Sequence, residues 1–428
     1  MSRVLVVHPS LQPPGGGNCV AAWALQALRG EHDVTMLAWR RPDLDPVNDY
    51  FGTSLAPGDF ALRRVPAAMR AAVAALPGPS ALLGICLTMR AARRLLARER
   101  FDAVLGTQNE MDFGRRGVQY IHFPTLFEPR PEHDLRWYHR PLALLAAYRR
   151  ACRRIGGCTD AGVRANLTLV NSDWTGEHYR RRYGGGCVTL HPPVPGEFPD
   201  VPWAEREDGF VAIGRISPEK RLEEVIAILA ALRARGRDLT LHLVGSADHR
   251  GYTRRILALA ARERAWVRVH LDLPRAGLLE LIGRQRYGIH GMVGEHFGIA
   301  VAELQRAGCI VFVADRGGQV EIVGGDPRQT FGERDDAVAK IDRVLGDPAL
   351  RGELRRAAAA RRDLFTAERF MEGIRAAVAA VAAGEPMPAP LDGHRRGATG
   401  GEPPAGGGGG AADTRRTDGT RSAAGGGR

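Results

Sequence analysis

A chain of 428 residues, 44% hydrophobic and 25% charged, is long enough for two domains with full cores and has the balance of an ordinary globular protein. Its formal charge of +12 comes from 60 Lys plus Arg against 48 Asp plus Glu, with Lys220 and Lys340 the only lysines, so the excess is an arginine bias that favours phosphates or anionic lipid surfaces. No zinc-finger spacing or recognition helix points to nucleic acid, the six scattered cysteines read as reduced thiols, and no apolar run approaches the roughly 18 residues of a membrane span.

Residues 4–7 run apolar straight after the first three, too short for a signal-peptide core, and read as a buried strand. A proline and glycine loop at 13–17 follows, then a helix at 18–28. Strands are expected at 34–38, 103–105, 118–121, 167–170 and 188–190, alternating with helical patterns. After a Pro-rich and acidic stretch the pattern repeats, with strands at 210–213, 239–244, 267–271, 287–290 and 310–313. Helices fall at 218–234, 251–263, 275–284 and 298–307, then at 333–345, 348–360 and 366–382. Continuous apolar strands between helices predict an α/β protein of two parallel-sheet domains, with the ligand in the cleft between them. The expected boundaries are 1–195, 196–360, a helical segment at 361–383 that can cross back to the first domain, and a Gly/Pro/Arg-rich disordered tail at 384–428.

Two segments carry chemistry. In the first, Glu295 lies in a glycine-containing loop after the strand ending at His290, and Glu303 follows two turns into the next helix, so the pair can bracket an extended ligand. The helix start at His296, Phe297 and Gly298 offers unpaired N–H groups to phosphate or sugar oxygens. In the second, a strand runs into Gly214-Arg215 and Pro218-Glu219-Lys220, where the guanidinium fork and the ammonium can both meet a diphosphate. Gly15, Gly16 and Gly17 let backbone approach a ligand but lack the dinucleotide spacing. Asp43-Leu44-Asp45 has the form of a metal-binding DxD but reads as loop chemistry in a Pro-rich connection, and no metal is expected. Arg136-Trp137-Tyr138-His139-Arg140, with Arg90, Arg93, Arg94, Arg98, Arg149, Arg150, Arg153 and Arg154, reads either as a solvated face or as a basic-aromatic surface for an acidic acceptor.

These segments resemble the retaining GT-B glycosyltransferases of family 4, whose Glu, seven residues, Glu signature is matched by Glu295 and Glu303. Tyr120-Ile121-His122-Phe123-Pro124, Val170-Asn171-Ser172-Asp173-Trp174-Thr175 and His191-Pro192-Pro193 are similar to the lipid-linked-oligosaccharide α-1,2-mannosyltransferases that use GDP-mannose. The resemblance covers roughly residues 3–382, and the arginine bias points to a bacterial relative. It implies two Rossmann-like domains facing across a cleft and a hexosyl transfer with retention that needs no metal. It further implies His122, Glu295, Arg215 and Lys220 as catalytic residues, and Gly15 to Gly17, His296 to Gly298 and Glu303 as donor-binding. The implied partners are a nucleotide sugar, GDP-mannose first, and a glycan or polyprenyl-diphosphate-linked acceptor, on the cytoplasmic side with room for peripheral contact with an anionic membrane.

Three alternatives stand beside this. One is a family 4 enzyme using UDP-glucose, UDP-N-acetylglucosamine or another donor. The others are a nonenzymatic nucleotide-sugar-binding protein and a nucleoside-diphosphate-sugar epimerase, which can share the architecture.

Overall fold

The computed structural model describes residues 1–13, 15–75, 81–124 and 142–386. Pro14, Arg136 to Arg140 and most of the expected tail, from 387 onward, lie outside the described residues.

The first half builds one parallel sheet in the order β3-β2-β1-β4-β5-β6-β7. Its strands are β1 (Arg3–Val7), β2 (Asp33–Ala38), β3 (Ala61–Arg64), β4 (Ala103–Gly106), β5 (Val118–Ile121), β6 (Leu167–Val170) and β7 (Val188–Thr189). Val4 to Val7, Val104, Leu105, Ile121 and Leu169 are fully buried, as uninterrupted apolar strands require when helices cover both faces. Those helices include α1 (Gly16–Leu28), α2 (Leu44–Phe51), α3 (Ala67–Ala74), α4 (Ala81–Leu96), α5 (Leu142–Gly156), α6 (Asp160–Arg164) and α7 (Asp173–Tyr183). Capping sets the last of these: the Ser172 hydroxyl accepts the Thr175 N–H at 3.0 Å, and Gly184 ends the helix in the left-handed region.

The second half builds a second parallel sheet, β10-β9-β8-β11-β12-β13. The strands are β8 (Glu207–Ile213), β9 (Thr240–Gly245), β10 (Val267–Leu271), β11 (Gln285–His290), β12 (Ile310–Ala314) and β13 (Thr330–Phe331). Helices α8 (Leu222–Ala234), α9 (Arg250–Arg262), α10 (Arg275–Arg284), α11 (Ile299–Arg306), α12 (Gln319–Ile322), α13 (Arg334–Gly346) and α14 (Pro348–Ala359) complete it. Around β8 and β9, Phe210, Val225, Leu229, Leu241 and Ile256 form a core of their own, separate from that of the first sheet.

The final described helix, α15 (Ala367–Ala383), leaves the second sheet and joins the first. Phe370, Ile374, Ala377 and Val378 pack with Tyr120 and the buried face of α1, and Arg375 Nε donates to the Ala27 carbonyl at 2.9 Å.

Three sequence expectations are corrected. The helix read as continuous over 218–234 is a 3-10 turn at Pro218–Lys220 followed by α8, with Arg221 between them at φ 49°. Asp43-Leu44-Asp45 is not a loop, because α2 begins at Leu44 with Asp45 in its first turn. Two short edge strands, β3 and β13, were absent from the reading: Ala-Leu-Arg-Arg carries little strand pattern, and two residues carry none.

Candidate active site

Successive strands of the first sheet end on a buried polar floor. His8, directly after β1, is wholly buried, its Nε2 2.8 Å from Asn18 Oδ1 and its Nδ1 2.8 Å from the Thr107 hydroxyl. His122, directly after β5, donates from Nε2 to the Thr107 carbonyl at 3.1 Å, and its own backbone N–H is held by Asn109 Oδ1 at 2.8 Å. Burial brings the His8 imidazole down to about 4. Burial likewise brings His122 to about 4, helped by the neighbouring His8 and His296. Both rings are therefore neutral near pH 7. The His122 ring lies against the first turn of α1, where a β-carbon on Gly17 would sit 3.4 Å from Nε2.

The second domain carries a compact charged cluster after β8 and β11. Lys220 Nζ donates to Glu295 Oε2 at 2.6 Å, and His290 Nε2 lies 3.3 Å from the same oxygen. The Lys220 and Glu295 side chains are only 16% and 17% exposed. Burial alone would raise the Glu295 carboxyl, but Lys220 and His290 together hold it well below the usual carboxylate range. Burial is also the main cause that lowers His290, with Lys220 adding to it and Glu295 opposing. The loop carrying Glu295 is clamped by Gly317 and Gly318: Gly318 N–H donates to the Glu295 carbonyl at 2.7 Å. A β-carbon at Gly317 would lie 2.5 Å from that carbonyl oxygen, and Gly317 has φ 120°, so both space and backbone require glycine.

Glu303, 8% exposed on the second turn of α11, is ion-paired with Arg275, which also donates to the Pro195 carbonyl at 2.8 Å. Its charge reaches across to the first domain: burial first, and then Glu303, push the Cys19 thiol of α1 up to about 12. Arg215 stands apart from the cluster, more than half exposed, held by Asp248 at 2.9 Å and Glu219 at 3.3 Å.

Contacts across the cleft fix the two floors against each other. A β-carbon on Gly16 would lie 3.3 Å from Ile299 Cδ1 at the start of α11. The Ser172 hydroxyl donates to the His296 carbonyl at 2.7 Å, and the His296 ring stacks on Phe123 with centroids 4.3 Å apart and planes 5° apart. Glu321, from α12, accepts the Asp173 and Trp174 N–H groups at 2.8 and 2.7 Å, capping α7 from the opposite domain. Burial is the main cause that raises the Glu321 carboxyl to about 7.

Of the residues named from sequence, Lys220 and Glu295 are in direct contact, while His122, Gly16, Gly17, His296 and Glu303 line the same cleft. Phe297 is buried in the second core and Gly298 precedes α11 at φ 102°. His8, Thr107, Asn109 and Glu321 carry no sequence signal of their own; a polar residue just past an apolar strand, as at His8 and Thr107, is the nearest thing to one. On the basic surface, Arg93 is committed to Asp112 at 2.9 Å and the Gly157 carbonyl at 2.7 Å, and Arg90 to the Ile155 carbonyl at 3.1 Å, whereas Leu142 and Leu144 are exposed.

A family model described as Glycosyl transferases group 1 matches residues 196–361, which hold the second sheet with Arg215, Lys220, Glu295 and Glu303. Residues 196–361 are thus similar to a group 1 glycosyltransferase domain. GDP-Man:Man(3)GlcNAc(2)-PP-Dol alpha-1,2-mannosyltransferases are similar to it: the Neurospora crassa protein is 31% identical over 202 residues, 39% of this chain and 36% of that one. The Homo sapiens protein is 27% identical over 181 residues, 38% of this chain and 36% of that one. The matches thus span about a third of these relatives' length. Among solved structures, sucrose-phosphate synthase from Thermosynechococcus elongatus aligns over 90% of this chain and 100% of its own, at TM-score 0.65 and 16% identity. WaaG, a glycosyltransferase involved in lipopolysaccharide biosynthesis, aligns over 87% and 99%, at TM-score 0.58 and 17% identity. The glycosyltransferase domain and the sheet preceding it together have the GT-B fold, two parallel-sheet units facing across a cleft. Among the described residues no helix is long and apolar enough to cross a membrane.

Proposed function

We propose that the protein is a retaining hexosyltransferase that moves mannose from GDP-mannose to a hydroxyl of a glycan or lipid-linked acceptor. The observation that carries this reading is the Lys220–Glu295–His290 cluster, next in the chain to His296 and α11, which meet Ser172, Phe123 and Gly16 of the first domain. The curated relatives' names support mannose and GDP.

In this reading Lys220, with Arg215 swinging from its exposed pairs, neutralises the diphosphate as it leaves. Glu295, fixed by Lys220 and the Gly317-Gly318 turn, accepts hydrogen bonds from the sugar hydroxyls. Glu303 takes the ribose hydroxyls, and the His296 to Gly298 segment closes on the phosphates with backbone N–H groups. Neutral His122 lies beneath the sugar without competing for the cationic role. The bond from sugar C1 to the leaving phosphate oxygen breaks and a bond to the acceptor oxygen forms on the same face. The acceptor's proton passes to a donor phosphate oxygen, so no protein nucleophile and no metal enter the balance. The acceptor would approach from the first domain, whose arginines and exposed Leu142 and Leu144 suit a diphosphate-linked lipid at the cytoplasmic membrane surface.

The deciding experiment is equilibrium binding of GDP-, UDP- and ADP-sugars to the wild-type protein and Glu303→Ala. Tight GDP-mannose binding that weakens at least tenfold without Glu303 is the expected result. Preference for a UDP- or ADP-sugar replaces the donor, and binding of none overturns the enzymatic reading.

A further inference from the structure

We propose that the glycosyltransferase domain carries a second, phosphate-binding site at the end of its sheet opposite the catalytic cleft. Lys220 and Glu295 follow the C-terminal ends of β8 and β11, whereas Arg206 and Gly308 precede β8 and β12, and all these strands are parallel. There a cavity of about 390 Å³ is lined by Trp203, Arg206, Gly308, Arg355, Arg356 and Arg362, with the exposed Asp200 at its rim.

Four guanidinium groups share this cavity, and among the described residues none of them makes an ion pair with a carboxylate. Arg206 is only 6% exposed, yet its bonds go to backbone carbonyls, Val201 at 3.0 Å and Gln285 at 3.5 Å. The Nε of Arg362 is buried without a hydrogen-bond partner. Burial is the main cause that lowers Arg206; Arg355 and Arg362 add to it by repulsion, while Cys309 and the Asp200 carboxylate oppose it. Arg328, by contrast, is paired with Asp326 and Glu353.

The geometry suits a tetrahedral anion. Arg355 is seated over the Trp203 ring at 4.5 Å, which fixes one wall. Gly308 opens the floor: a β-carbon there would lie 2.8 Å from Arg362 Nη2 and 3.2 Å from Arg206 Nη2. Guanidinium forks converging from several sides match phosphate oxygens, and the volume exceeds that of a bare phosphate, leaving room for the organic group of a phosphate ester. That ester is a soluble phosphorylated compound or the headgroup of an anionic phospholipid.

The test uses the full chain and the double variant Arg355→Gln, Arg356→Gln, both exposed positions whose change leaves the core intact. Inorganic pyrophosphate is titrated calorimetrically into wild type, the double variant and Lys220→Ala, because the catalytic cleft is a second place for it. The expected result is a class of binding that weakens at least tenfold in the arginine variant and persists in Lys220→Ala. Co-sedimentation with phosphatidylglycerol vesicles, against phosphatidylcholine vesicles, separates the two sources. Loss of sedimentation in the arginine variant assigns the lipid headgroup, and equal sedimentation with the titration effect assigns the soluble ester. If the arginine variant matches wild type in both assays, the proposal is wrong. Arg362→Gln, at the unpartnered nitrogen, repeats the titration independently.

Discussion

Lys220 and Glu295 have each given up most of their hydration, and each is tolerable only because the other is there. Lys220→Ala leaves Glu295 with His290 and the His296 N–H but no cation, so we expect a stability loss of roughly 2–3 kcal/mol by chemical denaturation, below that of a fully buried pair because both side chains keep some water. Nucleotide-sugar binding should weaken at least tenfold in the same variant. The neutral histidines give a different signature. For His8 and His122 the folded-state value, about 4, lies below the ordinary 6.5, so the unfolded chain binds more protons between those limits. Stability therefore falls as pH drops from about 6.5 toward 4, by as much as about 3 kcal/mol for each ring. Urea midpoints measured at pH 7 and pH 5 check this, and His8→Gln should flatten the slope. A slope that is the same in wild type and His8→Gln would show that His8 is not buried neutral.

At the level of elements, helix α7 is held at its start by two domains at once. Glu321→Ala would remove the acceptor of the Asp173 and Trp174 N–H groups and strand both donors, with an expected loss of about 1–2 kcal/mol in thermal or urea unfolding. Glu321→Gln, which keeps one acceptor, should lose less. Asp347→Ala, which uncaps α14 at the Ala349 and Leu350 N–H groups, offers a same-domain comparison near 1 kcal/mol. The apolar runs of β1, β4 and β12 were legible in the sequence, since each strand is one continuous stretch of chain. The Glu295 and Glu303 spacing was legible too, since one loop and the helix directly after it carry both. The break at Arg221 was not, because Pro218 to Ala234 reads as one helical pattern; the left-handed residue that interrupts it sits between Lys220 and α8 while Lys220 Nζ reaches Glu295, 75 positions away in sequence. Glu321 was invisible for the same reason, its partners being 148 and 147 residues distant. Long-range pairing of charge with backbone leaves no periodic trace.

For the whole molecule, the decisive contact is between helices at opposite ends of the described chain. Phe370, Ile374 and Val378 of α15 sit in one core with α1 and Tyr120, so the first sheet is incomplete without residues that follow the glycosyltransferase domain. Ending the chain after residue 365 should expose this apolar face, and we expect aggregation or loss of cooperative unfolding by calorimetry, while Arg375→Ala, which removes only the bonds to Ala27 and Glu31, stays folded with a loss under about 1 kcal/mol. The return of α15 also orders events during synthesis. The second sheet's two core clusters draw on residues between Val194 and Phe365 and can close once that stretch has left the ribosome. The first sheet, although translated earlier, waits with Tyr120 uncovered until residue 383 emerges, so the part of the protein made first is the part finished last, and it is the interval between them that a chaperone would have to guard.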